Sequence, residues 1–259
     1  MPSSWAAAIA RNGVFVMRIW GITHRGRVRI ENQDAYHFIL PAEGPAIGVV
    51  CDGMGGARGG NVASEMAVNC FLEHLRPDLP KDVTEDVAGD RMRAAAVEAN
   101  RAVYQRALED PMLRGMGTTI VAAVVLRREA VVLNVGDSRA YHMKKGVITR
   151  ITSDHSVVED MVRRGKITRE EARYHPQKNL ITRALGSEAS VDCDLFTVPV
   201  EKGEYLLQCS DGLTNTVMEE ELLEEVYSSH PPDTCCDRLL AMSLARGAPD
   251  NVTVVLFEL

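Results

Sequence analysis

Ile47-Gly48-Val49-Val50-Cys51-Asp52-Gly53-Met54-Gly55-Gly56 is a strand-like apolar run that ends in a carboxylate and a glycine turn. The same pattern recurs along the chain. Asp137 follows Val131-Val132-Leu133-Asn134-Val135-Gly136, Asp211 follows Tyr205-Leu206-Leu207-Gln208-Cys209-Ser210, and Asp250 opens Asn251-Val252-Thr253-Val254-Val255-Leu256-Phe257. Carboxylates at strand ends converge when the strands share a sheet, and crowded carboxylates repel unless hard cations such as Mg²⁺ or Mn²⁺ neutralise them. Asp52, Asp137, Asp211 and Asp250 therefore read as one metal site. The glycines after Asp52 permit a tight turn and let a backbone carbonyl approach a cation, which makes the Gly53 carbonyl a further candidate ligand.

Outward from this stretch, strand-like runs precede it at 16–23 and 35–40, and helical spacing of apolar residues follows at 61–75 and 90–108. Runs at 118–126, 130–135, 140–143 and 147–151, with turns at 127–129 and 144–146, predict an antiparallel meander. A polar stretch at 152–179, with a short amphipathic helix at 156–164 and a helical turn at 169–174, reads as a surface flap. Strands resume at 192–199 and 203–209, helices follow at 219–227 and 233–245, and a strand occupies 251–257. Strands in groups and helices in pairs argue for an α+β fold of antiparallel sheets covered by helices. Residues 1–16 read as an N-terminal extension and 17–259 as one domain.

The chain has 259 residues, 46% hydrophobic and 25% charged, enough for one large domain with a substantial core. Its net charge of -7 offers no basic field for a nucleic-acid backbone. The six cysteines form no C-x-x-C pair and no zinc-spaced cluster, which fits a reducing cytoplasm. No apolar run reaches the roughly 18 residues needed to span a bilayer. The glycines at 53–60 lack the G-x-x-x-x-G-K-[ST] pattern of a nucleotide phosphate loop.

Taken in order, Arg25-Gly26 with 29–34, Asp52-Gly53-Met54-Gly55-Gly56, Gly117-Thr118-Thr119, Gly136-Asp137-Ser138-Arg139, Asp154-His155-Ser156, His175-Pro176, Arg183-Ala184-Leu185-Gly186, Ser210-Asp211-Gly212 and Pro249-Asp250-Asn251-Val252-Thr253 carry a resemblance. The chain resembles the bacterial PPM-type (protein phosphatase 2C-like) serine/threonine phosphatases over about 18–257. The resemblance implies a four-layer α-β-β-α sandwich in which Asp52 bridges two metal ions, the Gly53 carbonyl binds one, and Asp211 and Asp250 bind the other. It also implies a third, weaker ion near Asp137 and Asp211. Arg29 matches the position that holds the substrate phosphate, a task suited to a planar guanidinium fork. Asp34 matches a carboxylate that orients metal-bound water.

Two positions depart from the better-known eukaryotic pattern. Met54 stands where a histidine serves as proposed general acid, and Gln33 replaces an acidic neighbour of Asp34. The proton donor is therefore unassigned, and His155 and His175 stand either as substitutes or as flap residues that fix local structure. The activity implied is metal-dependent hydrolysis of phosphoserine and phosphothreonine in proteins by a hydroxide bridging two Mn²⁺ or Mg²⁺ ions, opposing a Ser/Thr kinase. A monomeric, cytoplasmic enzyme is expected. The rival reading is a catalytically weak phosphoprotein-binding regulator on the same scaffold.

Overall fold

The computed structural model describes residues 4–12, 15–76, 79–228 and 231–259. Among them, two antiparallel sheets stack face to face. The first runs β1 (Ser4–Asn12), β2 (Phe15–His24), β12 (Val252–Glu258), β11 (Tyr205–Cys209), β8 (Arg139–Lys144), β9 (Val147–Arg150). The second runs β10 (Asp194–Pro199), β7 (Glu129–Val135), β6 (Ile120–Val125), β4 (Ala46–Met54), β3 (Asp34–Ile39), with β5 (Gly117–Thr118) beside the end of β4. Helices α1 (Gly56–Leu75) and α2 (Glu85–Glu109) cover the second sheet, while α5 (Asp211–Thr214), α6 (Glu219–Val226) and α7 (Cys235–Ala245) cover the first. The result is the α+β sandwich expected from the sequence.

Alternation along each strand builds three apolar layers at once. In β4, Val49 and Cys51 face α1 and α2 beside Phe71, Met92 and Leu133, whereas Val50 faces the other sheet beside Ile19, Val121 and Phe257. In β12, Val254 and Leu256 pack under α7 with Leu239, and Val255 and Phe257 enter the space between sheets. Both faces being covered, these strands read as continuous apolar runs. Burying one such Val or Phe side chain stabilises by about 1.5–3 kcal/mol relative to exposure. Helix α2 shows the matching helical period, with Met92, Ala95, Ala96, Ala99 and Val103 buried along one side. Gly48 marks the closest approach of the sheets, since a Cβ there would lie 2.4 Å from Gln208 Oε1 and 2.5 Å from the Phe257 ring.

The expected meander over 118–151 is instead two hairpins in different sheets. β6 and β7 pair in the second sheet, β8 and β9 in the first, and Gly136-Asp137-Ser138 carries the chain across. Hydrophobic alternation fixes which residues are buried but not which sheet a strand joins, so the crossover was invisible to it. Gly136 makes the corner with φ +108, and a Cβ there would sit 2.5 Å from Thr119 Cγ2.

The stretch read as an N-terminal extension contains β1, paired with β2 from Ser4 opposite Thr23 to Asn12 opposite Phe15. Between β9 and β10 lie the flap helices α3 (Val157–Arg163), capped by Ser156, and α4 (Arg169–Tyr174), closed by a Thr168/Glu171 capping box. Among the described residues, no helix is long and apolar enough to cross a membrane.

Candidate functional site

One end of the sandwich gathers the carboxylates from both sheets. Asp34 opens β3 directly opposite Asp52 in β4, so their side chains are neighbours in the second sheet. Asp211 follows β11 and Asp250 precedes β12 in the first sheet, and Asp137 sits on the crossover between the two. The Asp52 backbone is pinned while its side chain stays free. Its N–H donates to Thr119 Oγ1 (2.9 Å), and its carbonyl accepts from Thr118 Oγ1 and Thr119 N, each at 2.9 Å. Gly53 donates its N–H to the Gln33 carbonyl at 3.0 Å, and a Cβ on it would lie 2.0 Å from the Gly60 carbonyl oxygen, so no side chain fits.

Asp34 is buried and spans the sheets. Its Oδ2 accepts from Ser210 Oγ at 2.7 Å and Thr253 Oγ1 at 2.6 Å, while Oδ1 is buried with no hydrogen-bond partner. Asp211 repeats the pattern, with Oδ2 accepting from Asn215 Nδ2 at 2.9 Å and Oδ1 buried and unpartnered. Asn251 ties the rim together. Its Oδ1 accepts from Gln33 N (2.8 Å), and its Nδ2 donates to the carbonyls of Arg25 (2.9 Å) and Glu31 (3.0 Å), fastening the loop that bears Arg29.

The charges form one electrostatic cluster. Burial pushes Asp34 up to about 7, helped by Asp211 and Asp250 and opposed by the two hydroxyls. Asp211 rises to about 6 through burial and then Asp250. Asp52 rises well above the usual carboxylate range, by burial first and then Asp34, Asp211, Asp137 and Asp250. Asp137 rises as well, through burial, Asp211 and Asp154. Among the described residues, no three His, Cys, Asp or Glu side chains have their donors gathered as an enclosed ion would require. Each carboxylate instead leans on a neighbouring donor where it has one. The donor set nevertheless fits a hard divalent cation: it is all oxygen, two of its buried oxygens lack a partner, and added positive charge would relieve its mutual repulsion.

Arg29, expected at the phosphate, lies exposed at the cluster's edge and donates Nη2 to Asp250 Oδ2 at 2.8 Å. Both histidines engage neighbouring groups of the protein. His155 Nδ1 accepts from Gly136 N (3.0 Å), and its Nε2 lies 3.2 Å from Asp194 Oδ2; burial lowers its pKa. His175 Nδ1 accepts from Gln177 N at 3.2 Å just beyond α4. Both fix local structure. Sequence reading gave no role to Ser210, Thr253 or Asn251, although each stands within three residues of a strand-end aspartate. A groove of about 600 Å³ lined by His37, Asn69, Leu72, Glu73 and Arg76 includes none of the carboxylates.

Comparison with known proteins agrees with this geometry. A family profile described as Protein phosphatase 2C matches residues 21–238. The serine/threonine phosphatase stp of Listeria monocytogenes is 40% identical over 236 residues, covering 91% of this chain and 93% of that protein. The crystal structure of the serine/threonine phosphatase Stp1 from Staphylococcus aureus superposes with a TM-score of 0.88 at 35% identity, over 93% of this chain and 94% of that one. The catalytic domain of the serine/threonine protein phosphatase PstP, solved in complex with two manganese ions, gives a TM-score of 0.81 at 33% identity, over 93% and 97%.

Proposed function

The chain belongs to the protein phosphatase 2C family of serine/threonine protein phosphatases, and on that footing we propose that it hydrolyses phosphoserine and phosphothreonine in proteins with two divalent cations held by Asp52, the Gly53 carbonyl, Asp211 and Asp250. A third ion is held more weakly near Asp137 and Asp211. The ions are Mn²⁺ or Mg²⁺, and the PstP structure with two manganese ions supports that class. The observation that carries the reading is the crowding of five aspartates, with Asp34 Oδ1 and Asp211 Oδ1 buried and unpartnered.

When bound, the ions supply positive charge against the phosphate oxygens and acidify water, so that hydroxide is available at neutral pH. The remaining work falls to the chain. Asp34, held by Ser210 and Thr253, has only Oδ1 left to accept a hydrogen bond from a water at the phosphorus, which orients the attack. Arg29 exchanges Asp250 for two phosphate oxygens and keeps the phosphorus in line with that water. No phosphoenzyme forms, because no side-chain nucleophile takes part. The biological substrates are phosphoproteins, the counterpart enzyme is a Ser/Thr kinase, and the working unit is the monomer.

Retention of Asp52, Asp137, Asp211 and Asp250 together supports catalysis over a binding-only role, which has no use for a repelling carboxylate cluster. The test is turnover of p-nitrophenyl phosphate and a phosphothreonine peptide with Mn²⁺, Mg²⁺ or chelator. Activity on both substrates, lost in chelator and restored by Mn²⁺, is expected; turnover that ignores the metal overturns the proposal.

A further inference from the structure

We propose that His155 is a positioning residue for Asp137, acting through the peptide group of Gly136; the proposal rests on the reading that Asp137 binds a divalent cation. Gly136 is gripped by His155 at both of its polar atoms. Its N–H donates to the ring Nδ1 of His155 at 3.0 Å, and its carbonyl accepts the backbone N–H of His155 at 2.9 Å. On the far side of Asp137, Ser138 Oγ meets Thr119 Oγ1 at 2.7 Å. The turn is therefore held on each side of the carboxylate, and Gly136 itself is pressed against Thr119 with φ +108.

His155 is itself oriented from the flap side. A neutral imidazole has one donor and one acceptor nitrogen, so acceptance from Gly136 assigns Nδ1 as the bare nitrogen and Nε2 as the protonated one. Nε2–H is then directed to Asp194 Oδ2 at 3.2 Å, with Arg183 Nη1 packed 3.0 Å from the same nitrogen and donating instead to Asp194 Oδ1 at 2.9 Å; Asp194 lies opposite Asn134 in the β10–β7 pair. The His155 carbonyl accepts from Thr182 N at 2.8 Å. The ring thus links the base of the flap to the backbone on which Asp137 is mounted.

Two near-isosteres separate the functions of the ring. His155→Asn places an amide oxygen where Nδ1 was and keeps the Gly136 bond. His155→Gln keeps a donor toward Asp194 and gives up the Gly136 acceptor. Mn²⁺ binding to the full chain, followed by the electron paramagnetic resonance signal of free ion, reads the weakest site directly, with Asp137→Asn as reference. The expected result is weakening of that site by about tenfold in His155→Gln, as for loss of other groups that orient a ligand. His155→Asn stays within about threefold of wild type, and ¹⁵N spectra of the wild-type ring show protonated Nε2 and bare Nδ1. If Asp137→Asn weakens the site and His155→Gln does not, the positioning role is overturned and the metal reading stands. If Asp137→Asn leaves the site intact, the metal reading falls and the positioning role with it. A ring protonated at Nδ1 overturns the proposal even if a variant fails to fold.

Discussion

Asp52 has a pinned backbone and a free carboxylate, so its side chain can be changed with little disturbance of the strand. Asp52→Asn keeps the shape and removes the charge that would hold two cations. Turnover should fall by more than about tenfold with the melting temperature nearly unchanged, since metal-activated water is worth several kcal/mol; a variant that keeps a tenth of wild-type rate would remove Asp52 from the bridging position. Arg29→Ala has two effects that the Asp250 pair makes separable. The KM for both an aryl phosphate and a phosphopeptide should rise, while the Mn²⁺ concentration needed for half-activation should hold or fall, because Asp250 is freed from a competing cation. Steady-state kinetics at several Mn²⁺ concentrations check both. Asp52, Asp137, Asp211 and Asp250 were legible in the sequence because each borders an apolar run, at its end or, for Asp250, at its start, whereas Asp34 was legible only through the family resemblance. The groups that orient them were not: Ser210 and Thr253 reach Asp34 across 176 and 219 residues, a proximity that only the stacked sheets create.

Among the elements, the flap helices were legible from the spacing of their apolar residues, but their orientation was not. Val158 on α3 is buried, so the apolar side of that helix faces the protein, while Tyr174 at the end of α4 is 83% exposed. Val158→Ala should lower the melting temperature and both activities together, whereas Tyr174→Ala should alter phosphopeptide turnover and spare p-nitrophenyl phosphate. Paired kinetics with a melting curve distinguish them, and equal loss on both substrates for Tyr174→Ala would deny the exposed ring any part in substrate choice. Elsewhere, Arg246 just beyond α7 grips Glu221 of α6 with two bonds of 2.6 Å and depresses its carboxyl to about 2 from an ordinary 4.5. A depressed folded-state pKa means the pair stabilises fully above about 4.5 and progressively less as pH falls toward 2. Exposure limits its worth to about 1 kcal/mol or less. Urea midpoints of wild type and Arg246→Met should therefore differ most at pH 6 and draw together as the pH falls from about 4.5 toward 2; a gap independent of pH would assign the effect to packing.

For the molecule as a whole, the space between the sheets is the sensitive dimension. Gly48→Ala would drive a methyl into Gln208 and Phe257 and push the sheets apart exactly where Gln208 Nε2 bridges to the carbonyls of Gly48 (3.2 Å) and Val121 (3.1 Å). A loss of about 1–3 kcal/mol is expected from overpacking, read as a lower denaturant midpoint. The layered class was visible in the grouping of strands and helices, but the sheet membership of β8 and β9 was not, because it depends on a corner and not on a pattern. The order of strands carries one more consequence. β12 follows every other strand in sequence, yet it lies inside its sheet, between β2 and β11. As the chain is synthesised, β2 and β11 must wait with facing edges unpaired until β12 emerges and fills the slot. A message cut short before Val252 would leave two apolar strand edges open to other nascent chains and no Val252–Glu258 to close them. Quality control would meet an aggregating fragment and never a weakened phosphatase.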